Sequence, residues 1–191
     1  MESTLAVPQK DETSVIRIPM SKERFLNWNP DDDFVYEFDN GFAEPTTGMK
    51  KDERYLIINI QDKFSVLPMY QQGTRLLAET DCWLTKSQMR RPDLSLFTRE
   101  DIRVTDDSAE PIPTFVVEII SPSDKADHVE TKLIEYFNAQ VRVVWHIYPA
   151  LRMVRVFTSP RYNVTCFEDD PFSAAPAVPD LRMTVGELFA R

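Results

Sequence analysis

Thr114-Phe115-Val116-Val117-Glu118-Ile119-Ile120 is aromatic or β-branched at nearly every position, with one carboxylate inside the run. Such residues pack well on a pleated surface, so the segment reads as a β-strand. Side chains alternate along a strand, which puts Phe115, Val117 and Ile119 on one face and Val116, Glu118 and Ile120 on the other. Both faces are apolar apart from Glu118, so the strand is expected to be covered on both sides. A buried carboxylate is costly unless it is paired, protonated or bound to a cation. A chain that accepts this cost often uses the group for chemistry.

Downstream, Ser121-Pro122-Ser123 ends the strand, and a helix is predicted from about Asp124 to Ala139. Val129, Leu133 and Tyr136 or Phe137 form its apolar stripe. Val141 to Tyr148 is a β-prone strand, Leu151 to Phe157 its hairpin partner, and Tyr162 to Phe167 one strand more. Pro171 to Pro179 reads as a proline-rich connector before a short helix over Thr184 to Phe189. Upstream, Thr98 to Pro113 reads as a loop or short helix, Pro92 to Phe97 as a short strand, and Thr74 to Thr85 as a single alternating strand. Lys51 to Gln72 has apolar residues at roughly helical spacing, with Pro68 in its last turn and Gly73 at its end. Asn40-Gly41 marks a hairpin, Ser21 caps a short helix, and residues 1–20 read as a flexible N-terminal arm. The order of elements predicts one α/β (α+β) domain over residues 21–191, a central mixed sheet flanked by helices.

With 42% hydrophobic and 28% charged residues, the 191-residue chain fits a soluble globular domain. No apolar stretch approaches the roughly 20 residues of a membrane span, and the N-terminus lacks a signal-peptide layout. A cytoplasmic protein without a membrane partner is expected. Cys82, Cys166, His128 and His146 match no zinc spacing, and the four glycines form no phosphate loop. The net charge of −9 repels nucleic acid in bulk. Contact with DNA would need a local basic patch, a divalent cation or a partner.

Three carboxylates stand out by context. Asp93 opens a strand after Pro92, Glu118 interrupts a buried strand, and Glu37 lies on the hairpin. Two neighbouring strands could bring Asp93 and Glu118 to one cation. Mg²⁺ favours one or two carboxylates plus water and phosphate oxygens, and a cation would relieve the repulsion between two close acids. Lys132 lies one turn beyond His128 on the following helix. Pointed back over the sheet, it would orient a water or stabilise charge on a phosphorane-like transition state. Each residue also has a plainer reading: a turn aspartate, a solvent-facing Glu37, a Glu118 in a buried ion pair, an exposed helical Lys132. Ser121 has no Gly-x-Ser-x-Gly context and reads as a cap or turn residue. Lys50, Lys51 and Arg54 form one basic group. Lys86, Arg90 and Arg91 form another that leads into Asp93, where Arg90 and Arg91 could hold phosphates.

Tyr36-Glu37-Phe38-Asp39-Asn40-Gly41, Arg91-Pro92-Asp93-Leu94-Ser95, Val117-Glu118-Ile119-Ile120-Ser121-Pro122-Ser123, Lys132 with Tyr136, and Val144-Trp145 with Pro149 occur in this order. Together they resemble the Uma-two family of putative restriction endonucleases, within the PD-(D/E)XK nuclease superfamily. The likeness runs from about Ser21 to Phe189. It implies a restriction-endonuclease-like core and Mg²⁺-dependent (or Mn²⁺-dependent) hydrolysis of phosphodiester bonds in DNA, with Asp93 and Glu118 as metal ligands. The superfamily's lysine two residues after the second acid is replaced here by Ile120, which cannot do that job, so Lys132 is inferred to supply the amine from the helix instead. Glu37 resembles the family's upstream glutamate, which would complete the cation shell through water. The family's usual histidine early in the first long helix has no counterpart in Met49–Arg54. That departure and the acidic charge favour an alternative, a catalytically degenerate nuclease fold acting as a binding or interaction module. A third reading is an unrelated α/β protein in which Glu118 is buried against Lys132 or an arginine. A homodimer would supply two active sites for two DNA strands, with the C-terminal hairpin strands or the N-terminal arm as its interface.

Overall fold

Phe115–Ile119 is an interior strand of a six-stranded mixed sheet, covered on both faces as its composition requires. The computed structural model describes residues 17–46, 48–104 and 110–191. Residues 1–16 of the expected arm lie outside the described residues, as do 105–109 of the loop before the strand. The first half of the described chain comprises β1 (Ile18–Pro19), α1 (Lys22–Leu26), β2 (Val35–Asp39), β3 (Phe42–Thr46), α2 (Arg54–Ser65), α3 (Pro68–Gln71), β4 (Arg75–Ala78), β5 (Cys82–Thr85), β6 (Gln88–Arg90) and β7 (Leu94–Phe97). The second half comprises α4 (Arg99–Arg103), β8 (Phe115–Ile119), α5 (Ala126–Asn138), β9 (Val143–Tyr148), β10 (Met153–Ser159), β11 (Tyr162–Phe167), β12 (Pro171–Ala174), β13 (Val178–Thr184) and α6 (Val185–Leu188).

The main sheet runs β11-β10-β9-β8-β7-β4. Only β8 and β9 pair in parallel, joined by α5 as a βαβ unit. Phe115, Val117 and Ile119 pack in one cluster with Leu56, Ile60 and Phe64 of α2 and with Trp145. Val116 packs on the opposite face with Leu133 and Tyr136 of α5. Each large apolar side chain fully buried this way stabilises by about 1.5–3 kcal/mol, so the two helices clamp the sheet between them. On the α5 face, Glu118 interrupts this packing and opens the site.

A second sheet, β1-β3-β2-β6-β5, is antiparallel throughout. Its β2–β3 hairpin turns at Asn40 and Gly41, both at positive φ (46° and 90°), the backbone that an Asn-Gly turn provides. Phe38, Ala43 and Met89 form its core. Between β6 and β7 only three residues, Arg91, Pro92 and Asp93, carry the chain from one sheet to the other. That short passage places the functional residues at the junction of the sheets.

Several elements differ from the sequence reading. Thr74–Thr85 is two strands in different sheets, broken at Glu79, whose φ of 46° cannot continue a strand. The polar strand β6 lies just beyond it, in a segment that carries no alternating apolar pattern to announce it. Pro68 ends the predicted long helix by starting α3 at its first position. The expected connector over 171–179 is largely the hairpin β12–β13, recruited because Phe172 packs against Trp145 at 4.7 Å between ring centroids. Residues 17–20 of the expected arm are fastened rather than loose, through β1 pairing with β3 and Arg17 ion pairs to Asp39 and Glu44. Cys82 and Cys166 are free and buried.

Candidate active site

Leu94 pairs with Val117 across antiparallel β7 and β8, so the register carries Asp93 alongside Glu118. The Ile119 N–H donates to Asp93 Oδ2 at 2.6 Å, and the Tyr136 hydroxyl of α5 donates to Glu118 Oε1. Each acid is thereby fixed by a neighbouring element. Both line a cavity of about 90 Å³, together with Lys132, Arg91, Lys50, His128 and His146. Lys50 reaches across it to Ser121 Oγ at 2.8 Å. Ser121 and Ser123 hydrogen-bond to each other in the turn before α5, the turn role expected of them.

The electrostatics of the two acids match a shared site. Burial first, then the Glu118 charge, push the Asp93 carboxyl up to about 8, against the Ile119 N–H and Lys132. Burial also raises Glu118, opposed by Lys132 and the Tyr136 hydroxyl. The two carboxylates titrate as a pair and resist sharing two negative charges. In the unfolded chain an aspartate releases its proton near pH 3.9, whereas folded Asp93 retains it to a higher pH. The contribution to stability is therefore complete below about pH 4 and is lost as pH rises through about 8. For protein in EDTA, the melting temperature is expected to fall across that window, and Asp93→Asn is expected to flatten the fall. A wild-type profile that rises toward pH 8, or a slope unchanged in the variant, would remove the pair as its source.

Lys132 is buried, and its Nζ donates to Glu37 Oε1 at 2.7 Å. Burial would lower its pKa, but Glu37 and Glu118 outweigh that and hold it raised, so the ammonium stays charged. Glu37 is 1% exposed and takes no part in the cavity wall. Its Oε1 also accepts the Arg91 N–H at 3.0 Å, and its Oε2 lies 3.5 Å from Arg90. Burial would raise Glu37, yet Lys132 and Arg90 hold it below the usual carboxylate range. Glu37, expected in a cation's water shell, stands off the cavity wall behind Lys132 and holds its ammonium.

Arg90, expected to hold a phosphate, lies buried. Its side chain is 2% exposed and makes a two-pronged contact with Glu135 of α5, Nε to Oε2 at 2.7 Å and Nη2 to Oε1 at 2.9 Å. No face remains for a phosphate. Arg91 stays partly exposed on the cavity wall, with its guanidinium held by Asp81 at 2.6 Å.

His146 is the residue that sequence reasoning passed over. It is the direct neighbour of Glu118 in the parallel β8–β9 register, is 1% exposed, and has neither ring nitrogen hydrogen-bonded among the described residues. Burial and then the charge of Arg155 depress its pKa to about 4, so the ring is neutral near pH 7. Its position inside a β-prone run was the available signal, and it named no partner.

The donor set suits a hard cation. Two carboxylates with raised pKa at one small cavity match the one or two that Mg²⁺ takes from protein. Among the described residues, no three His, Cys, Asp or Glu side chains gather to hold a metal ion, so the protein donors at this cavity stop at the carboxylate pair.

Residues 23–186 match the family model Uma2, described as "putative restriction endonuclease". The crystal structure of a "putative nuclease belonging to DUF820" from Anabaena variabilis ATCC 29413 aligns with a TM-score of 0.73 at 18% identity. The alignment covers 90% of this chain and 98% of that one, and at this identity it shows a shared fold. No curated protein matches the chain. Among the described residues, no helix is long and apolar enough to cross a membrane.

Proposed function

The chain belongs to the Uma2 family of "putative restriction endonucleases", and on that premise we propose that it hydrolyses phosphodiester bonds of DNA at the Asp93–Glu118 cavity, using Mg²⁺ or Mn²⁺. The observation that carries this reading is the pair of carboxylates on adjoining chain segments of β7 and β8, each driven toward proton uptake and both facing one cavity. Asp93 and Glu118 would hold the cation, which when bound would supply a lowered pKa for an attacking water and neutralise phosphate charge. The Ile119 N–H and the Tyr136 hydroxyl fix the carboxylates in place. Lys132 spends one of its three donors on Glu37 and turns its remaining charge to the cavity, where it orients water and stabilises the developing oxyanion. Arg91 and Lys50 at the wall supply local positive charge that the net charge of −9 otherwise denies to DNA. We further propose that it meets DNA in the cytoplasm and acts as a homodimer when it cuts two strands. The family match removes the reading of an unrelated α/β protein.

Calorimetric titration with Mn²⁺ tests the site. Wild type is expected to bind and to gain thermal stability with cation concentration, while Glu118→Gln and Asp93→Asn bind at least tenfold more weakly. Absence of binding to wild type would sink the catalytic reading and favour a degenerate nuclease fold that acts as an interaction module.

A further inference from the structure

Beside the catalytic cavity, and sharing Ile120, Ser121, Asp124 and Val129 with it as a common wall, lies a second and larger pocket of about 390 Å³. Tyr148, Leu151, Arg155 and Glu130 also line it. The lining is mostly apolar, and its cation is Arg155, whose guanidinium carbon lies 5.6 Å from the centre of the Tyr148 ring. Arg155 Nε is buried without a hydrogen-bond partner, and Arg155 forms no ion pair among the described residues. Glu130 and Asp124 line the same pocket, yet neither forms an ion pair with Arg155, so this partly buried guanidinium is left with donors for a further anion.

We propose that this pocket binds the nucleotide unit adjoining the scissile phosphate, an inference that rests on the nuclease reading and extends it to the substrate. Arg155 takes the phosphate of that unit. Tyr148 and the apolar wall take its sugar and base, because every base offers a π-face to an aromatic or guanidinium plane. The shared wall makes the occupant continuous with the strand in the catalytic cavity. An apolar peptide would fill the same volume but leave the buried Arg155 Nε without an acceptor. Contacts of this sort are sequence-tolerant and act on ground-state binding, so they act on KM rather than on kcat.

The probe is deoxyadenosine 5′-monophosphate titrated into the full chain in EDTA, followed by NMR, so that no cation chemistry is needed. Wild type is expected to bind, with shifts around Tyr148. Arg155→Ala and Leu151→Glu are expected to bind about tenfold more weakly or worse. Leu151 is 64% exposed, so its substitution leaves packing intact even if Arg155→Ala folds poorly. With Mn²⁺ and short DNA, both variants are expected to raise KM about tenfold with kcat near wild type. Failure of wild type to bind the nucleotide, equal affinity in both variants, or complete displacement by equimolar inorganic phosphate (an adventitious anion site) would overturn the proposal. A protein that binds the nucleotide through Arg155 in EDTA but never cleaves DNA would refute the nuclease reading alone. One that cleaves with unchanged KM in both variants would refute the pocket alone.

Discussion

The Glu118→Gln protein is expected to fold with a melting temperature in EDTA no lower than wild type, and to cleave DNA about 10³-fold more slowly. The two halves of this result have separate physical causes. Wild-type Glu118 is held at a raised pKa by burial, so its ionised form is costly to the fold. An amide carries no charge to desolvate, and its oxygen accepts the Tyr136 hydroxyl as the carboxylate oxygen does. Lys132 keeps its hydrogen bond to Glu37 and is not orphaned. The amide is, however, a poor ligand for a hard divalent cation, and the transition-state stabilisation of several kcal/mol that the proposed cation would supply goes with it. Asp93→Asn should behave alike, since its amide oxygen can accept the Ile119 N–H. Thermal melts and cleavage rates measured on the same preparations decide the matter. A rate within tenfold of wild type would remove Glu118 from the chemistry. A melting temperature many degrees lower would make Glu118 a structural ion-pair partner instead.

Arg90→Met is expected to give the opposite pattern, a loss of about 3–5 kcal/mol in stability, because it removes one partner from a buried ionic network. Glu135 loses both contacts to the guanidinium and keeps Gln88 Nε2 at 2.9 Å, while Glu37 loses the guanidinium at 3.5 Å and keeps Lys132. For a chain of this length that corresponds to a fall of roughly 10 °C in melting temperature. The network ties β2 and β6 of the second sheet to α5 of the first, so its loss should also loosen Lys132. Arg91→Ala makes the contrast. Its ion pair with Asp81 is partly exposed, and exposed pairs contribute about 0–1 kcal/mol. If Arg91 touches the DNA backbone, that variant melts normally and binds DNA with a shallower salt slope. An Arg90→Met protein that melts within two degrees of wild type would contradict the buried-network account.

Much of this was legible before any fold was known. Strand β8 announced itself by composition, the β2–β3 turn by Asn40-Gly41, and α5 by the stripe through Leu133 and Tyr136. The resemblance picked out Asp93, Glu118 and Lys132, and the fold brings all three to one cavity. Their roles await the tests above. Errors fell where local pattern loses to tertiary context. The polar strand β6 exists because the β2 hairpin offers it an edge. The β12–β13 hairpin forms where prolines suggested a linker, because Trp145 offers Phe172 a surface.

The sequence by itself determined the α/β class, the strand with its misplaced carboxylate, and the helix that follows it, since these depend on periodicities of two and 3.6 residues within short windows. Only the tertiary structure decided that Glu37 backs Lys132 across 95 residues, that Arg90 is sealed against Glu135 across 45, and that His146 stands beside Glu118. Such contacts follow from strand register and from how α5 seats on the sheet. A charged side chain keeps the same letter whether it ends in water or in a buried ion pair. What separates the two is the desolvation and Coulomb energy of the place to which the fold carries it.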